Sequence, residues 1–211
     1  RDRFMYSLLT RSQRISHENL RVRDAAWLDG YERWFEQRSR EEVSGEAPDE
    51  ALSVASPPSA PPRRAVPPMF TPFRLRGLTL HNRVVVSPMA QYRCVDGVPG
   101  AWHHMHLGAR AVGGAGLVMA EMTCPSPEGR ITPGCPGLWN DAQREAWAEI
   151  VGFVHRESKA AIGIQLGHAG PKGSTRLGWE GMDEPLPEGN WPLVSASAVP
   201  YWPGVGAIQF G

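Results

Sequence analysis

Three short apolar runs, at residues 84–87, 116–120 and 161–166, constrain the fold of this chain more than any other feature. Each has the length and the Val, Ile, Leu or Ala content of a strand, and 116–120 reads as one of the buried type. The stretches between them read as helices. Residues 102–112 are one candidate. A second opens at Asn140, where Gln143 follows three positions later in the manner of a capping box. Its apolar face, Trp147, Ile150, Val151 and Val154, recurs at helical spacing. Strand, helix, strand, helix, strand is the pattern of a parallel α/β sheet or barrel. Ahead of the first run, Phe73, Leu75, Leu78 and Leu80 form two short segments broken at Gly77, which predicts a hairpin leading into it.

Upstream of this region the composition changes twice. Residues 39–68 carry Glu41, Glu42, Glu46, Asp49 and Glu50, then a run of Ser, Ala and Pro. Such a stretch cannot offset its ordering entropy and reads as a disordered inter-domain linker. Residues 1–38 are arginine-rich and aromatic. Val22, Ala25, Ala26, Leu28, Trp34 and Phe35 predict one or two short amphipathic helices. They are too few to bury a core alone and are expected to dock on an upstream part. Arg1 at one end and an unclosed stretch at the other suggest a fragment. The 22 basic and 22 acidic residues balance, which gives no general case for a nucleic-acid or membrane-surface partner. Three cysteines without a C-x-x-C pair leave an odd thiol, against a disulfide framework and for a reducing, cytoplasmic setting. No apolar run approaches the roughly 18 residues of a membrane span.

In a parallel barrel, chemistry gathers where strands end. The first run ends in Ser87-Pro88-Met89-Ala90-Gln91-Tyr92, the second in Glu121-Met122-Thr123, the third in Gln165-Leu166-Gly167-His168-Ala169-Gly170. Polar groups, a phenol and an imidazole therefore fall where a ligand would lie, without naming it. Other features read more plainly. His103, His104 and His106 have no carboxylate or cysteine at ligand spacing, so packing or site-side roles are expected over a metal. Gly113-Gly114-x-Gly116 precedes its strand, whereas a dinucleotide loop follows one. Glu121 is expected to pair with an arginine. Cys94 and Cys124 read as ordinary thiols, and Trp139, Trp147, Trp179, Trp191 and Trp202 as packing residues. Trp102 fits either packing or recognition.

Five motifs, Phe70-Thr71-Pro72-Phe73, His81-Asn82-Arg83, Ser87-Pro88-Met89, Glu128-Gly129-Arg130 and Gln165 to Gly170, occur in one order. Together they resemble the N-terminal part of the NADH:flavin oxidoreductase/Old Yellow Enzyme family, over about residues 69–211. The resemblance implies an incomplete (β/α)8 TIM barrel, with the N-terminal hairpin and the first three or so strands present. It implies FMN as cofactor and NAD(P)H as reductant, hydride passing from reduced flavin to an electron-poor C=C bond. Ser87, Pro88, Met89 and Ala90 would wrap one flavin edge through backbone groups. Met122 would pack beside the ring, Gln165 would hydrogen-bond its pyrimidine edge, and Tyr92 would carry a hydroxyl into the substrate space. His168 would serve the site or satisfy backbone groups. Ala90 departs from the Cys or Thr of many relatives.

A second, shorter resemblance lies in Tyr6-Ser7-Leu8-Leu9-Thr10-Arg11-Ser12-Gln13-Arg14 and His17-Glu18-Asn19-Leu20-Arg21. It is similar to the C-terminal end of the FAD monooxygenase half of bifunctional aromatic acyl-CoA enzymes, such as salicylyl-CoA 5-hydroxylase and 2-aminobenzoyl-CoA monooxygenase/reductase. That implies a remnant of this half at 1–38, the linker at 39–68, the reductase part at 69–211, and FAD in an upstream half. The substrate would be an aromatic acyl-CoA derivative or another activated alkene, and a homo-oligomer stays open. A stand-alone ene-reductase or xenobiotic reductase, and a truncated inactive chain, are the alternatives. If the linker reading holds, limited proteolysis of the full-length protein cuts between Ser39 and Pro68 and releases two flavin-binding pieces.

Overall fold

The computed structural model describes residues 17–45, 65–197 and Tyr201. It divides into two compact units, Arg1–Arg83 and Val84–Gly211. In the first, helix α1 spans His17–Arg23 and α2 spans Ala25–Ser44. The Asp24 carboxylate accepts the Trp27 backbone N–H at 2.9 Å and starts α2, and Gly45 at φ 72° ends it. Arg21 joins the two helices by reaching Asp29 at 2.7 Å and the buried Glu32 at 3.3 Å. Strands β1 (Phe73–Leu75) and β2 (Leu78–Leu80) pair antiparallel, Phe73 opposite Leu80, as the break at Gly77 predicts.

Helix α2 runs through Ser44, beyond the change in composition near residue 38, so the linker read at 39–68 begins with helical residues. Most of the rest of it lies outside the described residues, as do residues 1–16. The helix was expected to dock upstream; among the described residues it packs on the hairpin. The Arg83 guanidinium lies over the rings of Phe35 and Phe73, 4.7 Å from each centroid. It donates to the Ser39 hydroxyl at 3.1 Å, the Thr71 hydroxyl at 3.1 Å and the Pro72 carbonyl at 3.2 Å. Ser39, on α2, in turn donates to Thr71 at 3.1 Å, and both are buried. A polar cluster this enclosed is stable only because each member has a partner.

The second unit is a parallel three-stranded sheet in the order β3-β4-β5, made of Val85–Val86, Leu117–Thr123 and Ala161–Leu166. Helices α3 (Ala101–Val112) and α4 (Asp141–Glu157) are the crossovers, and both cover the same face. Val118 and Ala120 of β4 pack there against Leu107 and Ala111 of α3 and Ile150 and Val154 of α4. Burying each large apolar side chain contributes about 1.5–3 kcal/mol, which makes this face the hydrophobic base of the unit. The start of α4 is close to the sequence reading. Asn140 Oδ1 accepts the Gln143 N–H at 3.0 Å, while the Gln143 carboxamide reaches one residue further back than a capping box requires, to the Trp139 N–H at 2.8 Å. The described strands form an open parallel α/β sheet and no closed barrel, as an incomplete barrel would.

The Arg83 cluster generates a direct test. Arg83→Ala removes charge-assisted hydrogen bonds worth about 1.5–3 kcal/mol and leaves Ser39 and Thr71 short of a donor. Urea unfolding followed by far-ultraviolet circular dichroism is expected to show a lowered midpoint, partly recovered in Arg83→Lys.

Candidate active site

Because the strands are parallel, their C-terminal ends share one edge, and the face turned away from α3 and α4 is open there. Register sets which side chains occupy it. Val118 and Ala120 face the helices, so Leu117 and Met119 face away. At Glu121 the register shifts. Ala120 pairs with Ile164 but Met122 pairs with Gln165, so Glu121 is the extra residue of a β-bulge. The shift keeps Met122 and Gln165 as neighbours on the open face. Met122 is steadied from behind by Gly167, where an added Cβ would lie 2.5 Å from its Cγ. Gln165 is exposed, and its carboxamide makes no hydrogen bond among the described residues.

The segment after β3 lies along the same edge. Ser87, Met89 and Ala90 are exposed and Pro88 is half-buried. Gln91 anchors this loop three ways. Its backbone N–H donates to Glu121 Oε2 at 2.8 Å, its side-chain amide donates to the Met89 carbonyl at 2.8 Å, and its side-chain oxygen accepts the Trp102 indole N–H at 2.9 Å. Glu121 is buried, and its other oxygen meets Nε2 of the buried His103 at 3.1 Å. The expected arginine partner of Glu121 is thus replaced by an imidazole and a backbone amide. His103, in the first turn of α3, accepts the Gly100 N–H on Nδ1 at 3.2 Å.

Tyr92 follows at φ 51°, a left-handed conformation that costs a non-glycine residue about 1–3 kcal/mol and clusters at functional sites. Its ring meets Trp179 edge-on, 6.5 Å between centroids. Burial first, then the nearby Cys135 thiol, raises the Tyr92 hydroxyl above its ordinary value, so it holds its proton well past neutral pH. Trp179 is 60% exposed, which removes it from the packing tryptophans, while Trp147 is buried and donates to the Gly137 carbonyl at 3.1 Å. Trp139 and Trp191 lie over the Arg130 guanidinium at 5.6 and 4.6 Å. Trp202 lies outside the described residues. Two of the sequence motifs meet here. The Ala169 N–H donates to the Gly129 carbonyl at 2.8 Å, and His168 packs on Gly129 while its Nδ1 accepts the Gly170 N–H at 3.0 Å. His168 therefore satisfies backbone in this structure.

Gln91 and Trp179 were given no site role by the sequence, while His103, left open between packing and a site-side role, is buried against Glu121. The available signal was Glu121, a carboxylate inside an otherwise apolar strand, which demands buried donors. The thiols are core groups. Burial pushes Cys124 up to about 12 and raises Cys94 and Cys135 as well. All three are free and buried. A thiol reagent at pH 8 is therefore expected to leave these three unmodified in the folded protein and to modify all of them in urea, read by mass spectrometry of the derived peptides. Rapid labelling of any one in the folded protein would refute its placement.

Residues 68–182 match the NADH:flavin oxidoreductase / NADH oxidase family. An NADPH dehydrogenase of Geobacillus thermodenitrificans is 48% identical over 106 residues, which are 49% of this chain and 31% of that protein. An NADH:flavin oxidoreductase of Gibberella zeae is 40% identical over 144 residues, 66% of this chain and 35% of that protein. Among solved structures, morphinone reductase is 34% identical with a TM-score of 0.52, over 64% of this chain and 33% of that one. The old yellow enzyme from Trypanosoma cruzi is 29% identical with a TM-score of 0.50, over 63% and 35%. The chain thus spans about a third of the length of its relatives. With more than half of its residues inside the family match, it belongs to the NADH:flavin oxidoreductase / NADH oxidase family.

Proposed function

We propose that this chain supplies one side of the FMN site of an NAD(P)H-dependent oxidoreductase of the ene-reductase type. The observation that carries the reading is the pair of Gln165 and Met122 at the ends of β5 and β4, with the segment Ser87 to Ala90, of which Ser87, Met89 and Ala90 are exposed, following the end of β3. A carboxamide donates and accepts at once, which suits the pyrimidine edge of an isoalloxazine. Met122 offers a polarizable apolar surface for a flat ring. Ser87, Pro88, Met89 and Ala90 would present backbone groups to the opposite edge, where Ala90 adds no side-chain donor. FMN, when bound, supplies the hydride chemistry, and the protein orients it. The raised Tyr92 hydroxyl would remain a proton-bearing hydrogen-bond donor toward substrate across the working pH range.

The relatives named NADPH dehydrogenase favour NADPH as the reductant. The wider reading, a two-flavin aromatic acyl-CoA monooxygenase/reductase with FAD upstream, rests on residues 6–21, most of which lie outside the described residues. Flavin released from the full-length protein separates the two: FMN with FAD supports the fusion, FMN alone a stand-alone reductase. An activated alkene, aromatic acyl-CoA or simpler, is the proposed substrate class. No described helix is long and apolar enough to cross a membrane, and a cytoplasmic site remains part of the proposal.

Gln165→Ala in the full-length protein tests the assignment. Loss of a neutral hydrogen bond of about 0.5–1.5 kcal/mol corresponds to an FMN dissociation constant raised about two- to tenfold. Flavin fluorescence titration checks it, and an unaltered constant together with an unaltered flavin spectrum would remove Gln165 from the site.

A further inference from the structure

We propose that Glu121 and Trp102 are positioning residues for the flavin-edge loop, both acting through Gln91, with His103 holding Glu121 in place. The inference deepens the FMN reading above and rests on it. Neither side chain belongs to the set expected to touch the ring. Each instead fixes a different part of Gln91, the residue directly after Ser87 to Ala90.

The first anchor comes from within the fold. The bulge on β4 turns the Glu121 carboxylate into a buried position, where Oε2 accepts the Gln91 N–H at 2.8 Å and Oε1 faces His103 Nε2 at 3.1 Å. His103 Nδ1 accepts the Gly100 N–H, so the ring proton sits on Nε2 and points toward Glu121. The imidazole is thereby locked between the start of α3 and the carboxylate, and the carboxylate between the imidazole and the loop. The second anchor comes from the surface. Trp102, 43% exposed, donates its indole N–H to the Gln91 side-chain oxygen at 2.9 Å, and the same carboxamide donates to the Met89 carbonyl at 2.8 Å. The Gln91 carboxamide thus accepts on its oxygen and donates from its nitrogen, linking the indole to the Met89 carbonyl. Backbone and side chain of Gln91 therefore set the place of the Met89 carbonyl, in the middle of the segment proposed to meet the flavin.

A purely structural role would look different. A buried carboxylate kept only for stability is a poor choice, because apolar residues of equal volume serve as well or better. An exposed indole bonded to a loop glutamine adds little to the fold. What the two share is one target beside the site. Freeing that target would transfer the ordering of the loop to the moment of cofactor binding, and affinity falls accordingly.

The test uses the full-length protein with FMN as the probe. Trp102→Phe keeps the ring and deletes the N–H. It is expected to raise the FMN dissociation constant about two- to tenfold, with the thermal midpoint of the FMN-free protein unchanged. Glu121→Gln keeps the shape, removes the charge and sets one donor against another. It is expected to weaken FMN about tenfold or more and to move the flavin reduction potential upward, since a nearby negative charge is lost. In a Gln91→Ala background, Trp102→Phe is expected to have no further effect, which identifies Gln91 as the intermediary. If both variants lower the thermal midpoint yet leave FMN affinity and potential unchanged, or if Trp102→Phe acts equally with and without Gln91, the proposal is overturned. Should Glu121→Gln fail to fold, the Trp102 and Gln91 cycle decides alone. Gln165→Ala separates the two levels: if it weakens FMN and these variants do not, only the positioning proposal falls, and if the full-length protein binds no FMN, both fall.

Discussion

A carboxylate buried at the bulge of the central strand organises the edge at which the described strands end. Removing such a charge from water costs several kcal/mol unless donors replace the water. Glu121 finds two, the Gln91 amide and His103, and in doing so ties β4 to the loop after β3 and to the first turn of α3. Three elements far apart in sequence are held at one point. The charge is also felt around it. Burial is the main reason that Cys94, Cys135 and Tyr92 keep their protons, and repulsion from Glu121 adds to it in each case.

The two faces of the sheet differ. Val118, Ala120, Ile162 and Ile164 point at α3 and α4 and make the hydrophobic base. Met122 and Gln165 point the other way, and the bulge is what keeps them aligned as the strands end. The long excursions after β4 and β5 are held to each other by the bond between Ala169 and Gly129 and by Arg130 between two tryptophans, so they frame the edge as ordered loops.

The first unit is organised around a cation. Arg83 sits on two aromatic rings and donates to three oxygens, and through Ser39 it gathers α2 onto the hairpin. Guanidinium suits this because it is planar and weakly hydrated, so it stacks and hydrogen-bonds together. The helix is thereby a partner of the entry hairpin.

Much of this was legible in the residues alone. Apolar runs bounded by turn residues located β5 and the hairpin, and the 3.6-residue period located α4, because burial of a helix face imposes that spacing whatever the distant sequence. The strand-end rule located the edge where Ser87 to Tyr92, Met122 and Gln165 lie. Three things were not legible. The helical extension to Ser44 lies in a charged stretch of linker-like composition, and its docking depends on Ser39 meeting Thr71 and Arg83. The exposure of Trp179 depends on where the loop after β5 places it beside Tyr92. The partner of Glu121 was misread as an arginine, since a sequence shows that a buried charge needs a donor but not which one. Local patterns determine which residues must be buried and in what periodic element. Only the tertiary structure decides which distant groups satisfy one another, because hydrogen bonds across 18 or 30 residues depend on the register of β4 and the placement of α3, and no local spacing encodes either.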